Sequence, residues 1–270
     1  MTAQSTKVDR GADTEYPLTE EQVSCMHEQG WAPLPGLLSA ADATALREAL
    51  LEAPPRSTFS GPDKMEADPK ILQQTEGVAW HDERVRSLAT SRRLSSAVVG
   101  LMALPDALFV HDLSFFKPVG AQEVPYHQDF SYWPFDRWGN LSLWIALEDI
   151  SEEMGPLRYL RGSHQMGPLG LIERRDIRDA YPRLWDLEVV GGHALKAGDA
   201  QAHWELTCHG SAENAGTNRR EAVAFRYHRT DVIYTGLTHP HFDTFELRPG
   251  RRILSSKKFP HIGPEGIIDD

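Results

Sequence analysis

The chain has 270 residues, 40% of them hydrophobic and 25% charged, the balance of a globular protein able to bury a substantial core. Its 39 acidic against 28 basic side chains give a formal net charge of −11, which argues against nucleic acid or an anionic membrane as the main partner and leaves a small-molecule substrate open. Two distant cysteines, Cys25 and Cys208, exclude a disulfide framework and zinc spacing, and no apolar run approaches spanning length. A cytoplasmic protein, monomer or homodimer, is expected.

Residues 1–15 are polar and read as a flexible tail, with one domain over 16–270. "LTEEQVSCMHEQGW" carries a capping box, Thr19 with Gln22, and Gly30 stops the helix. A second helix begins at Ser39, with Asp42 in its first turn and Ala43, Leu46, Leu50 and Leu51 as an apolar stripe. The Pro-, Ser- and charge-rich stretch that follows suggests a lid loop near 52–75. "SRRLSSAVVGLMA" reads as a third helix. From residue 107 short β-rich runs follow one another, bounded by Gly, Pro, Asn or Asp. Helices first and strands afterwards, without βαβ alternation, predict a mainly β antiparallel sandwich or barrel with flanking α-helices.

Within "PYHQDFSYWPFD", His127 and Asp129 are two positions apart and, on a strand, would share a face. An imidazole with a carboxylate suits a divalent metal. Along "QAHWELTCHG", Gln201, His203, Glu205, Thr207 and His209 alternate with apolar residues, which would bring His209 to the mouth of a barrel and leave His203 about three pleat repeats deeper. On the next strand Arg220, Ala222, Ala224 and Arg226 share one face, and Val223, Phe225 and Tyr227 the other. Two histidines and one carboxylate make a facial triad that leaves metal positions open, and an inward arginine suits a carboxylate. Together they describe a site for a chelating keto acid.

These motifs, "YHQDFSYWPF", "LSLWIALEDISEEMGPLRYLRGSH", "AGDAQAHWELTCHGSAEN" and the following "RRE", resemble the phytanoyl-CoA dioxygenase family of iron(II)- and 2-oxoglutarate-dependent oxygenases, in its bacterial natural-product-tailoring branch. The resemblance runs over most of the chain. It implies a double-stranded β-helix (jelly roll, cupin-like) core and, as cofactors, Fe(II), 2-oxoglutarate and O2. By the family pattern His127, Asp129 and His209 are the metal ligands. The arginine eleven positions after the last histidine (220 − 209 = 11) binds the distal carboxylate, which selects Arg220 over Arg219. Ser211 and Lys117 are further cosubstrate contacts, and Trp144 lines that pocket. The chain departs from the family at Arg161, where "PGSH" is usual; a turn is altered and the ligands are left alone. Asp129 disfavours halogenation, since related halogenases carry a small residue there. Hydroxylation, radical cyclisation, epimerisation and desaturation all remain open.

For the substrate, Tyr132 and Trp133, with Phe135 and Trp138, suggest an aromatic wall, and packing is an equal alternative. Phe115, His111 and Arg226 point the same way, His111 being equally well a core histidine. The expected substrate is a mid-sized secondary metabolite such as a glycosylated aromatic polyketide. His239 and His241 in "THPHFD" read as a surface or mouth loop. The rival readings are a cupin-type metalloenzyme that does not use 2-oxoglutarate and a degenerate jelly-roll binding module.

Overall fold

The computed structural model describes residues 11–53, 70, 72–170, 175–239 and 242–268. The helices are α1 (Glu20–Gln29), α2 (Ala40–Glu52), α3 (Glu83–Ala89), α4 (Arg92–Met102) and the single turn α5 (Ile177–Ala180). The strands are β1 (Trp31–Leu34), β2 (Gln73–Glu76), β3 (Ala107–Lys117), β4 (Val124–His127), β5 (Leu141–Ala146), β6 (Leu157–Leu160), β7 (Val189–Gly191) and β8 (Ala200–Trp204). After these come β9 (His209–Ser211), β10 (Arg220–His228), β11 (Ile233–Tyr234), β12 (Arg251–Arg252), β13 (His261–Gly263) and β14 (Gly266–Ile267).

The major sheet runs β1-β8-β5-β10-β3-β13-β14 with β2 also on β3, and the minor sheet runs β4-β9-β6-β7. Every pairing in both is antiparallel. The two sheets close on each other as a jelly roll.

Alternation on β10 decides what each face does. Val223, Phe225 and Tyr227 pack outward into the core built with Met26, Leu46, Leu50, Val98 and Leu101 from the helices. Ala222 and Ala224 point inward and pack with Trp144, Leu157 and Tyr159, which belong to both sheets. Small side chains inside and large ones outside leave space between the sheets and cement the helical layer behind.

The helix signals are realised. Thr19 caps α1 with its box to Gln22, and Gly30 ends the helix at φ 88°. Ser39 caps α2 and Ser91 caps α4. The short helix α3 was not legible, because its seven residues give too few turns for a periodic stripe.

Two expected boundaries fall partly outside the described residues. Of the tail expected over 1–15, residues 1–10 lie outside them, while within 11–15 Ala12 is buried and its carbonyl accepts from the backbone N–H of Arg93 at 3.1 Å. Of the stretch 52–75 expected to form a lid, residues 54–69 and 71 lie outside the described residues, while Gln73–Glu76 is a strand paired with β3. Backbone pairing with β3 outweighs the polar composition of "QQTE".

Candidate active site

His127 and His209 are cross-strand partners on β4 and β9, with ring centroids 4.4 Å apart. Each ring anchors its Nδ1 on the carbonyl two residues earlier: His127 on Pro125 O and His209 on Thr207 O, both at 2.9 Å. A carbonyl can only accept, so Nδ1 carries a hydrogen and Nε2 is left as the atom each ring would offer to a metal. Burial, with His203 and His127 nearby, holds the His209 imidazole well below its ordinary pKa and therefore neutral. The close approach of the two strands depends on Gly210, where a Cβ would stand 2.6 Å from Val124 O.

Asp129 reaches the site by another route than the one expected. Strand β4 ends at His127, and Asp129 has helical dihedrals at the start of the 3-10 turn Phe130–Tyr132. The backbone N–H groups of Asp129 and Phe130 both donate to Glu205 O, at 2.9 and 3.2 Å. A turn pinned to a neighbouring loop, rather than strand alternation, brings the carboxylate over. Its Oδ1 lies 3.7 Å from His127 Nε2 and 3.8 Å from His209 Nε2, and the three ligand atoms all fall within 4.8 Å of one another. Burial works against the carboxylate's charge. Arg226 and the neighbouring histidines outweigh it and hold Asp129 well below the usual carboxylate range. Two imidazole Nε2 atoms and an ionised carboxylate oxygen fit a divalent iron-type ion.

The polar alternation expected over 201–209 is interrupted. Strand β8 stops at Trp204, residues 205–208 turn from one sheet to the other, and β9 starts at His209. Glu205 consequently points away, accepting from the N–H groups of Gly139 (2.6 Å) and Asn140 (3.0 Å), and Thr207 Oγ1 donates to Gly30 O. His203 is buried as expected but not deep beneath the triad. Its ring centroid is 4.4 Å from that of His209, and its Nε2 lies 3.9 Å from Asp129 Oδ2.

Beside the triad lies a buried cationic corner. Arg220 stands opposite Lys117 in the β10–β3 register, and both are completely enclosed. Lys117 Nζ donates to Ser211 Oγ at 3.0 Å and to Ala212 O; Arg220 Nη1 donates to Gly155 O, and its Nε is buried with no partner among the described residues. The Arg220 guanidinium carbon sits 5.2 Å from the Trp144 ring centroid. Burial alone pushes Arg220 down to about 10; burial, then the charge of Arg220, pushes Lys117 down to about 7. Among the described residues no acid pairs with either. Two desolvated cations with unspent donors fit a dianion that chelates a metal at one end and offers a carboxylate at the other.

One cavity of about 490 Å³ joins these groups. It is lined by the triad, Arg220, Ser211 and Trp144, and also by Leu113, Phe115, His111, Tyr132, Trp133 and Arg226. Of the residues expected at the site, all but Lys117, Phe135 and Trp138 line this cavity, and Lys117 reaches it through Ser211. Arg226 stands differently from its expected substrate-facing role, for its Nη1 donates to Asp129 Oδ2 and to Ser142 Oγ (3.0 Å). His111 is buried with its Nε2 3.7 Å from Glu76 Oε2. Of the four aromatic residues after the ligands, Phe135 is buried behind Trp133 and Trp138 is more than half exposed, outside the cavity. Leu72, Gln74 and Glu76 at β2, and Leu237, Thr238 and His239 at the rim, were not anticipated as lining groups. His239 stacks on Trp133 at 5.8 Å, consistent with a mouth loop; His241 lies outside the described residues. Arg161 is a surface residue bonded to Glu188 and Gln29, so the lost proline does not touch the site.

The sequence model of phytanoyl-CoA dioxygenase (PhyH) matches residues 26–222, well over half the chain and all of the triad and the cationic corner. The chain belongs to the phytanoyl-CoA dioxygenase family. It is accordingly a non-haem iron, 2-oxoglutarate-dependent dioxygenase. Among curated members and relatives, a probable alpha-ketoglutarate-dependent hypophosphite dioxygenase from Stutzerimonas stutzeri is 26% identical over 76% of this chain and 77% of its own length. A methylphosphonate hydroxylase from Gimesia maris is 26% identical over 78% of this chain and 80% of its own. Among solved structures, the non-heme alpha ketoglutarate dependent carbocyclase SnoK from nogalamycin biosynthesis superposes with a TM-score of 0.76 at 23% identity, covering 91% of this chain and 97% of SnoK. The epimerase SnoN from the same biosynthesis gives 0.71 at 23% identity, covering 90% and 97%. At such identity these two speak for the phytanoyl-CoA dioxygenase fold. No helix among the described residues is long and apolar enough to cross a membrane.

Proposed function

We propose that the protein oxidises an unactivated C–H bond of a mid-sized organic secondary metabolite, of the glycosylated aromatic polyketide type, by hydroxylation, radical cyclisation or epimerisation. His127, Asp129 and His209 would hold iron(II); Arg220, Lys117 and Ser211 would anchor the distal carboxylate of 2-oxoglutarate against Trp144. When bound, the metal with 2-oxoglutarate and dioxygen supplies an oxidant able to take hydrogen from an unactivated carbon. The protein's own residues do the rest. The Nδ1 bonds of the two histidines fix their tautomers, and the Glu205 carbonyl fixes the turn of Asp129. The aromatic lining keeps water away and presents one substrate carbon to the reacting position.

The observation that carries this reading is the paired burial of Arg220 and Lys117 without an acidic partner among the described residues, beside the cavity that His127, Asp129 and His209 also line. The substrate half of the cavity favours a guest with a large apolar part: Leu72, Leu113, Phe115 and Trp133 line it, with Gln74, Glu76, His111 and Arg175 among its polar points. The Glu76 carboxylate there disfavours small phosphorus oxyanions such as those in the names of the two curated relatives, while Arg226 Nη1 is held by Asp129 and Arg175 is the further cation on the lining. SnoK and SnoN, which share this fold, act in nogalamycin biosynthesis, and the natural-product class is proposed by analogy with them.

The test is turnover of a panel containing anthracycline-type glycosides, hypophosphite and methylphosphonate, with products read by mass spectrometry and succinate counted in parallel. The proposal expects succinate coupled to conversion of a glycoside alone, read as a mass change or, for epimerisation, as a shifted chromatographic retention at unchanged mass. Coupled turnover of either phosphorus compound would replace the substrate assignment.

A further inference from the structure

We propose that Arg226 is a positioning residue that confines Asp129 to a single metal-facing oxygen, so that the carboxylate cannot spread over a second coordination position. The inference rests on the reading of His127, Asp129 and His209 as the metal ligands.

The two oxygens of Asp129 face different partners. Oδ1 looks towards His127 Nε2 (3.7 Å) and His209 Nε2 (3.8 Å). Oδ2 accepts from Arg226 Nη1 and has His203 Nε2 at 3.9 Å. An aspartate's terminal torsion is soft, so a carboxylate with one oxygen on a metal can present the other by a modest rotation. Bidentate ligation would occupy one of the positions that a chelating keto acid and dioxygen require. A charge-assisted bond on Oδ2 opposes that rotation.

Arg226 is itself fixed from several sides. The same Nη1 donates to Ser142 Oγ at 3.0 Å, and the guanidinium carbon lies 5.2 Å from the Trp133 ring centroid. Its side chain is 7% exposed, so little water competes for the ion pair. On β10 it pairs with His111 on one side and Ser142 on the other, and the β10–β3 register slips immediately after it. There Arg226 faces His111 while Tyr227 faces Phe109, a bulge of the kind that re-aims side chains beside active sites. Backbone, neighbouring hydroxyl and aromatic face all hold the guanidinium where it meets Oδ2. Nη1 is spent on the ligand carboxylate and on a hydroxyl, and Nε is buried without a partner among the described residues, so the charged group that Arg226 holds is Asp129.

The experiment uses the full chain, Co(II) as the probe metal, 2-oxoglutarate and no organic substrate. In Arg226→Met the account expects Co(II) to bind but its visible absorption to weaken and shift as the coordination number rises. The affinity for 2-oxoglutarate should fall about 10- to 100-fold, the range seen when groups supporting metal ligands are removed. Arg226→Lys, which retains a cationic donor for Oδ2, should move both readouts back towards wild type. A methionine variant with the wild-type spectrum and 2-oxoglutarate affinity overturns the inference, and so does one that no longer binds Co(II). If the methionine variant fails to melt cooperatively, Arg226→Gln is read by the same criteria. Asp129→Ala separates the two layers of the argument. Undiminished Co(II) binding in that variant would remove the ligand assignment itself, whereas lost binding there beside an unchanged Arg226→Met would remove only the role given to Arg226.

Discussion

Lys117 and Arg220 face each other across β3 and β10, both fully buried, and no carboxylate among the described residues pairs with either. Burial, then the charge of Arg220, pushes the lysine down to about 7. An anionic ligand between them favours the charged lysine, so above about pH 7 its binding must draw in a proton, while below that pH the charge is already present. The affinity of the Co(II)-loaded protein for 2-oxoglutarate is therefore expected to fall as pH rises above about 7, by up to about tenfold per unit. Lys117→Met should bind more weakly and lose this slope. An unchanged slope in that variant would assign the proton elsewhere.

Arg220 has a planar fork that a lysine lacks. Arg220→Lys should reduce 2-oxoglutarate affinity by about 10- to 100-fold, the loss of one or two charge-assisted bonds, while leaving metal affinity alone. Calorimetric titration of each ligand separately checks both halves. A parallel loss of metal binding would mean that the residue supports the triad instead.

Gly210 lets β4 and β9 approach closely enough to face His127 with His209. A Cβ at this position meets Val124 O at 2.6 Å and Pro125 C at 3.2 Å, backbone atoms that cannot step aside. Gly210→Ala should cost about 1–3 kcal/mol of stability and weaken Co(II) binding, because the strand separation that relieves the clash also separates the ligands. Denaturant unfolding and metal titration of the same variant test this; loss of stability with metal affinity intact would contradict the coupling.

Glu205 is buried against His228, and burial pushes its carboxyl up to about 8. A folded-state value above the unfolded one means that the protonated acid favours the fold. That contribution is complete below the unfolded value near 4.5 and drains away as pH rises towards about 8. Glu205→Gln keeps an acceptor for the N–H groups of Gly139 and Asn140 and cannot ionise. Its melting temperature should exceed that of the wild type by more at pH 8 than at pH 5. An equal difference at both would show that Glu205 titrates as an exposed acid does.

The sequence disclosed what local chemistry determines. Thr19, Ser39 and Ser91 mark helix starts because their hydroxyls meet orphan N–H groups within three residues. The two faces of β10 follow from strand geometry, so Arg220 and Arg226 were correctly turned inward. Features fixed by remote partners were hidden. Asp129 depends on a carbonyl at Glu205, and the turn at 205–208 breaks an alternation that looked continuous. That turn brings His203 beside His209 when pleat counting had separated them. The role of Arg226 likewise depends on a carboxylate nearly a hundred residues away in sequence. Alternation says which way a side chain points, never what it meets.

In the proposed centre His127, Asp129 and His209 hold iron beside an Arg220-anchored keto acid. Anaerobic titration of the protein with Fe(II) and 2-oxoglutarate tests it most directly, through the visible charge-transfer absorption of a chelated keto acid. The account predicts that this band develops in the wild type and is lost in both His127→Ala and His209→Ala. A wild type that binds Fe(II) and 2-oxoglutarate without the band, or alanine variants that retain it, would contradict the assignment.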